Sequence, residues 1–479
     1  MKTLKKQNTR KNVALFAGAT ALMALTPQLQ AQTSVDALLN KLEQKGILTV
    51  DEAKELKAEN QQDSAADLNK AINSRFQMPD YVTSIKLYGD FRGRVDDQAS
   101  TDGNKSFVDR TRYRYRLRAG LVISMKDNLE TGFSITSGDS APTTPSGYSG
   151  GGGQPLSNNS TLQDNGTKKN VYIDTAYGKW TALNSDGWLL SATIGKMYNP
   201  LQFTPMVFDS DWTPEGAALQ GGYTFNDQQA ILVNLAAFVE DQEVGGGDTG
   251  SVRAPGLFGG QAIWNANWTE SLASSLGLGG YLIVNPGELT TANVPYVNQG
   301  NTRIWSNTGV GTLVNDYAPI IADASVTYKL DSFPLYPGKF PIKLAGEYIN
   351  NVGAKQNNNN NQGCWVGVMF GKSGKKHAWD ISYRYEYLEA DAVYDQLVDD
   401  DNGAYYQYLL ANNGGAVGYF GGTNLKGNLI KANYSLADAL TFSITCYLNQ
   451  LINPGLNAQA TGEPNNSAMH LMADLMWKF

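Results

Sequence analysis

Five arginines alternate with other residues in one short stretch of the sequence: Arg110, Arg112, Arg114, Arg116 and Arg118. A period of two is the period of a β-strand, so one strand face carries guanidinium groups while the other is mostly apolar or aromatic. Five like charges on one face repel one another and cannot face a dry core. A strand that separates water from lipid satisfies both faces, which predicts a membrane β-barrel.

The chain from residue 85 onward contains sixteen strand-like runs, counting the arginine strand. The connections between them alternate between short ones, such as 126–128, and long ones, such as 139–170. Bacterial outer-membrane barrels have short periplasmic turns and long external loops. The last run alternates apolar and polar residues back from a terminal aromatic residue, Phe479. We therefore predict an all-β fold, a transmembrane antiparallel barrel of about 16 strands.

Composition supports this class and argues against nucleic-acid binding. The 479 residues include 50 glycines and 25 tyrosines, and only 17% are charged. Gly-rich and aromatic sequence with many short strands is typical of all-β barrels. The formal charge is −7, and removal of the five basic residues within the first 31 positions takes it to about −12.

The N-terminal part differs from the barrel in its pattern. Basic residues precede an apolar stretch, 13–25, and a short polar segment that ends at Ala31, which predicts a secretory signal peptide over 1–31. Helical spacing and a capping box of Thr49 and Glu52 predict a short periplasmic helical or coiled-coil segment over 32–80. The barrel is expected to occupy 81–479, in the outer membrane of a Gram-negative cell.

Enzymatic chemistry is disfavoured. A barrel hydrolase needs a Ser/His or Asp/His constellation, and the only two histidines, His377 and His470, have no obvious partner in the sequence. No cofactor or metal site is predicted. The acidic run Asp399–Asp401 lacks the spacing of a known calcium loop, so we expect a solvated turn there.

Several segments in this order resemble the putative porin family of Gram-negative outer membranes. They are the helical opening VDALLNKLEQKGILTVDEAKEL, the first strand IKLYGDFRGRVD, the ladder RTRYRYRLRAGL, the segment GKMYNPLQFTPMVFDSDWTPEGAA and the closing Phe479. The resemblance implies a sixteen-stranded barrel, commonly a homotrimer, embedded in outer-membrane lipid and lipopolysaccharide. It implies passive diffusion of small polar solutes and ions, through a pore narrowed by the third external loop.

Carried onto this sequence, the resemblance implies acids on the loop at 200–216, namely Asp209, Asp211 and Glu215, facing bases on the wall. The wall would supply Arg92, Arg94 and the arginine ladder, Arg110 to Arg118. Acids and bases on opposite sides of a narrow opening create a transverse field that favours polar solutes.

Other interpretations of these residues remain open. The arginines could be lumen lining that pairs with strand acids such as Asp90 and Glu130, and the loop acids could bind lipid headgroups through divalent ions. An anion- or phosphate-selective channel is the alternative function, because a dense arginine lining suits such ligands. A structural or adhesive barrel without an open pore is a further possibility, favoured by the long Gly-, Ser- and Asn-rich loops.

Overall fold

A computed structural model of the protein describes residues 79–101, 110–141, 152–242, 254–296, 299–355, 359–402, 405–409, 416–420, 422–453 and 467–479. The chain divides into two units, 1–84 and 85–479. The predicted signal peptide, and all but the last two residues of the predicted helical segment, lie outside the described residues and stay predictions. The account below concerns the second unit.

Sixteen long strands form the main sheet. In chain order, β1 to β16 are Val82–Thr101, Arg110–Met125, Leu129–Gly138, Asn170–Ser185, Trp188–Lys196, Glu215–Asn226, Gln229–Val239, Gly256–Asn267, Leu272–Val284, Pro319–Leu330, Phe340–Asn351, Gln362–Gly371, Trp379–Leu388, Leu425–Ala437, Leu440–Leu451 and Ser467–Lys478.

The sheet closes into an antiparallel barrel. Each strand pairs with its neighbours in the chain, and β1 also pairs with β16 from Asp90↔Lys478 to Thr101↔Ser467. Phe479 extends this seam, because its backbone exchanges hydrogen bonds of 3.0 and 2.9 Å with that of Gly89. Gly89 is required there, since a Cβ would collide with the Phe479 ring. The predicted sixteen-stranded antiparallel barrel is confirmed.

The two faces of the strands differ as the alternation predicts. On β2, Tyr113 and Leu117 are exposed, at 58% and 46%, while Arg114 and Arg116 are 5% and 6% exposed. The same alternation recurs on β11, where Leu344 and Tyr348 are exposed on the outer face. The outer surface is therefore largely apolar.

Within the described residues, no helix is long and apolar enough to cross a membrane.

The hydrophobic core lies inside the barrel and is built largely from the long connections. The ring centre of Phe208, from the connection 197–214, lies 5.3 Å from that of Tyr281 on β9. The ring centre of Trp212, from the same connection, lies 5.7 Å from that of Phe238 on β7. Leu289 and Tyr394, from two further connections, are buried in the same cluster. The connections 197–214, 285–318 and 389–424 therefore fold inward onto the wall.

Candidate functional site

The arginine ladder lies on β2 and faces the barrel interior. Its exposed neighbours lie on the opposite face, so the predicted orientation of the strand is the observed one. With Arg92 and Arg94 on β1, the five ladder arginines form a continuous basic surface, here called the arginine wall. Each of its guanidinium groups contacts a carboxylate or an amide oxygen.

Asp90 pairs with the two arginines at the C-terminal end of the ladder, Arg116 and Arg118. Its Oδ1 accepts from Nε of Arg116 at 3.0 Å, and its Oδ2 accepts from Nε of Arg118 at 2.8 Å. The sequence suggested Asp90 and Glu130 as possible strand partners. Asp90 does pair with the arginines, whereas Glu130 accepts a hydrogen bond from Tyr177.

Asp96 forms ion pairs with the arginines in the middle of the ladder, Arg112 and Arg114. Its Oδ2 lies 2.6 Å from Nη2 of Arg112 and 3.5 Å from Nη1 of Arg114. Its Oδ1 faces Nε2 of His470 at 2.9 Å, and Nδ1 of the same imidazole faces the carbonyl of Asp401 at 2.7 Å. His470, which has no obvious partner in the sequence, thus contacts both Asp96 and Asp401 in the structure.

The two arginines of β1 reach a strand acid and two of the long connections. Arg94 donates from Nε and Nη2 to Asp474 on β16, at 2.8 and 3.0 Å, and from Nη1 to Asp401 at 2.9 Å. Arg92 donates to Asn159 at 2.6 Å and lies 3.9 Å from Asp474. Arg110, at the far end of the ladder, donates to Gln98 at 2.8 Å.

The loop acids predicted to face the arginines occupy three different environments. Asp211 lies 3.2 Å from Nη1 of Arg116 and 3.6 Å from Nη1 of Arg118. Asp209 is buried but faces another connection, and its Oδ1 accepts from the amide of Asp211 at 2.6 Å. Glu215 is the first residue of β6 and mostly exposed, and it pairs with Lys196 at 3.2 Å. Only Asp211 therefore touches the ladder directly.

The acidic run 399–401 is not the solvated turn that the sequence suggested. Asp399 is buried, and its amide donates to the carbonyl of Pro205 at 3.0 Å, while Asp209 donates its amide to Leu397 at 2.7 Å. These bonds join the connections 197–214 and 389–424. Asp401 then fixes the second of them to Arg94.

Three acids meet where the two connections join. Single carboxylate oxygens of Asp209, Asp399 and Asp400 lie within 4.8 Å of one another. Burial and the neighbouring carboxylates raise the pKa of Asp399 to about 6 and hold the pKa of Asp209 well above its ordinary value. Hard divalent cations prefer such oxygen ligands, but partial protonation relieves the same repulsion without an ion.

The pKa of Asp401 is shifted in the opposite direction. Burial alone raises the pKa of a carboxyl group, but the adjacent Arg94 and His470 outweigh it and hold the pKa of Asp401 below its ordinary value. The Asp401 carboxylate therefore stays ionised at pH values at which Asp209 and Asp399 are protonated. Its ion pair with Arg94 attaches the connection 389–424 to the arginine wall.

A cavity of about 430 Å³ lies between the inserted connections and the wall. Arg92, Arg94 and Asp474 border it on the side of β16 and β1, and Lys343, Arg384 and Lys431 border it on the side of β11 to β14. A second cavity, of about 950 Å³, lies between the connection 197–214 and β3 to β7. Both contain polar and charged side chains.

Sequence reasoning missed several charged residues of this site. Asp96, Asp474 and Lys343 lie on strands, and their alternation with apolar neighbours in the sequence indicates that each faces inward. That signal was available. The contacts of Asp401 and Asn159 carry no comparable signal, because they depend on the path of irregular connections.

The geometry is thus that of a closed barrel with an apolar exterior, a charged interior and inserted connections, the architecture of a porin-like β-barrel. A family model described as putative porin matches residues 105–281. The resemblance seen in the sequence is confirmed by this match.

Solved structures similar to the chain include OprB of Pseudomonas putida at high pH, with 12% identity, a TM-score of 0.47, and coverage of 82% of this chain and 94% of that one. OmpF of Salmonella typhi in complex with daunomycin has 9% identity, a TM-score of 0.41, and coverage of 82% and 97%. A triple mutant of Rhodopseudomonas blastica porin has 10% identity, a TM-score of 0.39, and coverage of 83% and 100%. No match is found among curated proteins.

Proposed function

We propose that the protein is an outer-membrane porin that lets small hydrophilic solutes and ions diffuse passively through a water-filled channel. The observation that carries this proposal is the contrast between the two faces of the barrel. Exposed apolar side chains cover the outside, as a lipid-facing surface requires, while charged residues and the 430 Å³ cavity lie inside. The match to the porin family over 105–281 supports the same function.

In this proposal, the arginine wall has two roles. It lines the channel, and it anchors the connections that narrow it through Asp211, Asp401 and Asn159. Acids and bases then remain close together across a constricted passage, where their field acts on polar solutes. Among the three loop acids, Asp211 carries the constriction role best. Asp209 contributes through the contact between connections, and exposed Glu215 contributes least.

The alternative is an anion- or phosphate-selective channel based on the same arginines. The observed pairing weighs against a dominant role for the ladder, because Arg112, Arg116 and Arg118 each lie within 3 Å of a carboxylate oxygen. A diffusing phosphate would have to displace these carboxylates. We therefore favour a general channel in which the ladder is mostly neutralised.

The proposal extends to the surroundings of the barrel. An outer-membrane location implies contact with lipid and lipopolysaccharide, and the signal peptide predicted over 1–31 fits export across the inner membrane. A homotrimer and a periplasmic segment over 32–80 are further parts of the proposal. A channel activity, and no enzymatic one, is what the family match supports.

Liposome swelling tests the proposed function. Protein reconstituted into vesicles should admit polar solutes at rates that fall steeply with solute size, from arabinose to raffinose. Vesicles that hold the folded barrel but swell no faster than protein-free vesicles would contradict the proposal and favour a structural barrel.

A further inference from the structure

Two lysines on the β11–β14 side of the cavity lie on one row of the barrel. Strand pairing connects Lys343 on β11 through Met369 and Ser382 to Lys431 on β14. Three strand spacings of about 4.8 Å separate their backbones by roughly 14 Å. Both side chains border the 430 Å³ cavity.

Neither lysine is bonded directly to an acid in the described structure. Within the part of the chain that the structure describes, the ammonium groups of Lys343 and Lys431 form no ion pair and no hydrogen bond. Asp323, on the strand next to Lys343, forms no ion pair with it, although the two charges attract each other over a longer distance. Lysine donates from a flexible stem, so both groups can turn toward a solute in the cavity.

A guanidinium group lies on the same wall, one inward position beyond the row. Arg384 follows Ser382 by two residues on β13 and borders the same cavity. Its guanidinium carbon lies 5.2 Å from the ring centre of Trp365, and it forms an ion pair with Glu386. The indole and the carboxylate together hold Arg384 in place between the two lysines.

The charge balance differs between the two sides of the cavity. On the arginine side, Arg92 and Arg94 are matched by Asp474 and Asp401. On the lysine side, Arg384 is paired with Glu386 and Lys343 interacts with the more distant Asp323, which leaves an excess of one positive charge. Asp399 also borders the cavity, and its pKa of about 6 allows it to be partly protonated.

Resting on the proposed channel function, we propose that the cavity wall formed by Lys343, Arg384 and Lys431 is a binding site for small organic dianions, of which dicarboxylates fit best. Two separated ammonium groups match two separated carboxylates, and each contact is a charge-assisted hydrogen bond. Inorganic phosphate carries its charge on one centre and cannot reach both lysines equally well. The site makes the channel prefer dicarboxylates among the solutes that it admits.

Calorimetric titration of the detergent-solubilised protein tests this site without requiring conduction. Succinate should bind at least about tenfold more tightly than butyrate, which has the same chain length and one charge, and more tightly than inorganic phosphate. The variant K343Q/K431Q should lose this advantage. The matched control K375Q/K376Q removes the same charge from an exposed turn and should keep it.

Two results would overturn the proposal: equal affinity for succinate and butyrate in the unchanged protein, or an unchanged succinate affinity in K343Q/K431Q with folding verified by circular dichroism. Tighter binding of phosphate than of succinate would overturn the dicarboxylate assignment. Failure of the channel function would appear separately, as absent solute uptake by vesicles despite normal succinate binding.

Discussion

Oδ1 of Asp211 lies 3.2 Å from Nη1 of Arg116, and this contact joins the connection between β5 and β6 to strand β2 of the barrel wall. The two residues are 95 positions apart in the chain. The contact places an acid of an inserted connection directly on the arginine ladder.

Replacing Asp211 with Asn should shift ion preference toward anions, because Arg116 and Arg118 lose a shared negative partner. The reversal potential in asymmetric KCl measures this shift. Glu215→Gln removes an equal charge from an exposed position and is the control. A reversal potential that is the same in D211N and the unchanged protein would mean that this contact does not influence permeation.

The junction between the two inserted connections should loosen as the pH rises. Burial raises the pKa of Asp399 to about 6, above the value of roughly 4 for an unfolded carboxyl group. The folded junction therefore binds a proton that the unfolded chain releases, so the stability that Asp399 contributes is greatest below about pH 4 and is lost as the pH rises through about 6. Asp401, whose pKa is lowered, stays ionised over this rise and does not oppose it. The pKa values of Asp209 and Asp400, raised by burial and mutual repulsion, act in the same direction.

Hydrogen exchange of the segment 395–402, corrected for intrinsic rates, measures this loosening. Exchange should be faster at pH 7 than at pH 5, and Asp399→Asn should reduce the difference. Asp186→Asn, in an exposed turn, should leave it unchanged. Equal protection at both pH values would show that the acid cluster does not control the junction.

Replacing His470 with Phe should destabilise the barrel by about 1–3 kcal/mol, because the buried imidazole bonds both Asp96 and the carbonyl of Asp401. Urea unfolding in lipid vesicles measures the loss. The control is His377→Phe at an exposed turn, where the imidazole is hydrogen-bonded to Tyr434. If H470F were as stable as the control variant, the two hydrogen bonds would contribute nothing.

Adjacent substitutions on β11 test which face contacts lipid. Leu344→Arg places a charge on the outer face and should cost up to about 2–4 kcal/mol in unfolding free energy. Ala345→Arg faces the cavity and should cost much less, while lowering conductance. The opposite order of stabilities would mean that the faces are assigned the wrong way round.

Most of the barrel could be predicted from sequence because its signal is local. Alternation on β2 and the run of apolar residues behind Phe479 each require only neighbouring positions. The same signal correctly predicted that the arginines face inward. It suggested Asp90 as a partner but not Asp96, which lies on the neighbouring strand β1, or Asp474, whose strand β16 meets β1 only when the barrel closes.

The inserted connections could be predicted only in part. Their acidic residues indicated a charged element, and Asp211 does meet the arginines. The prediction of a solvated turn at Asp399 was wrong, because an Asp-rich run with Gly is typical of such turns. Asp399 is buried through contacts with Pro205 and Tyr447, which are far away in the chain. Irregular backbone has no periodicity from which such contacts follow.

Single-channel recording in planar bilayers tests the central claim most directly. Purified, folded protein should insert in discrete steps and conduct continuously in symmetric KCl, with a conductance that increases with salt concentration as expected for a water-filled passage. Bilayers that contain the inserted barrel but show no current steps would contradict the account.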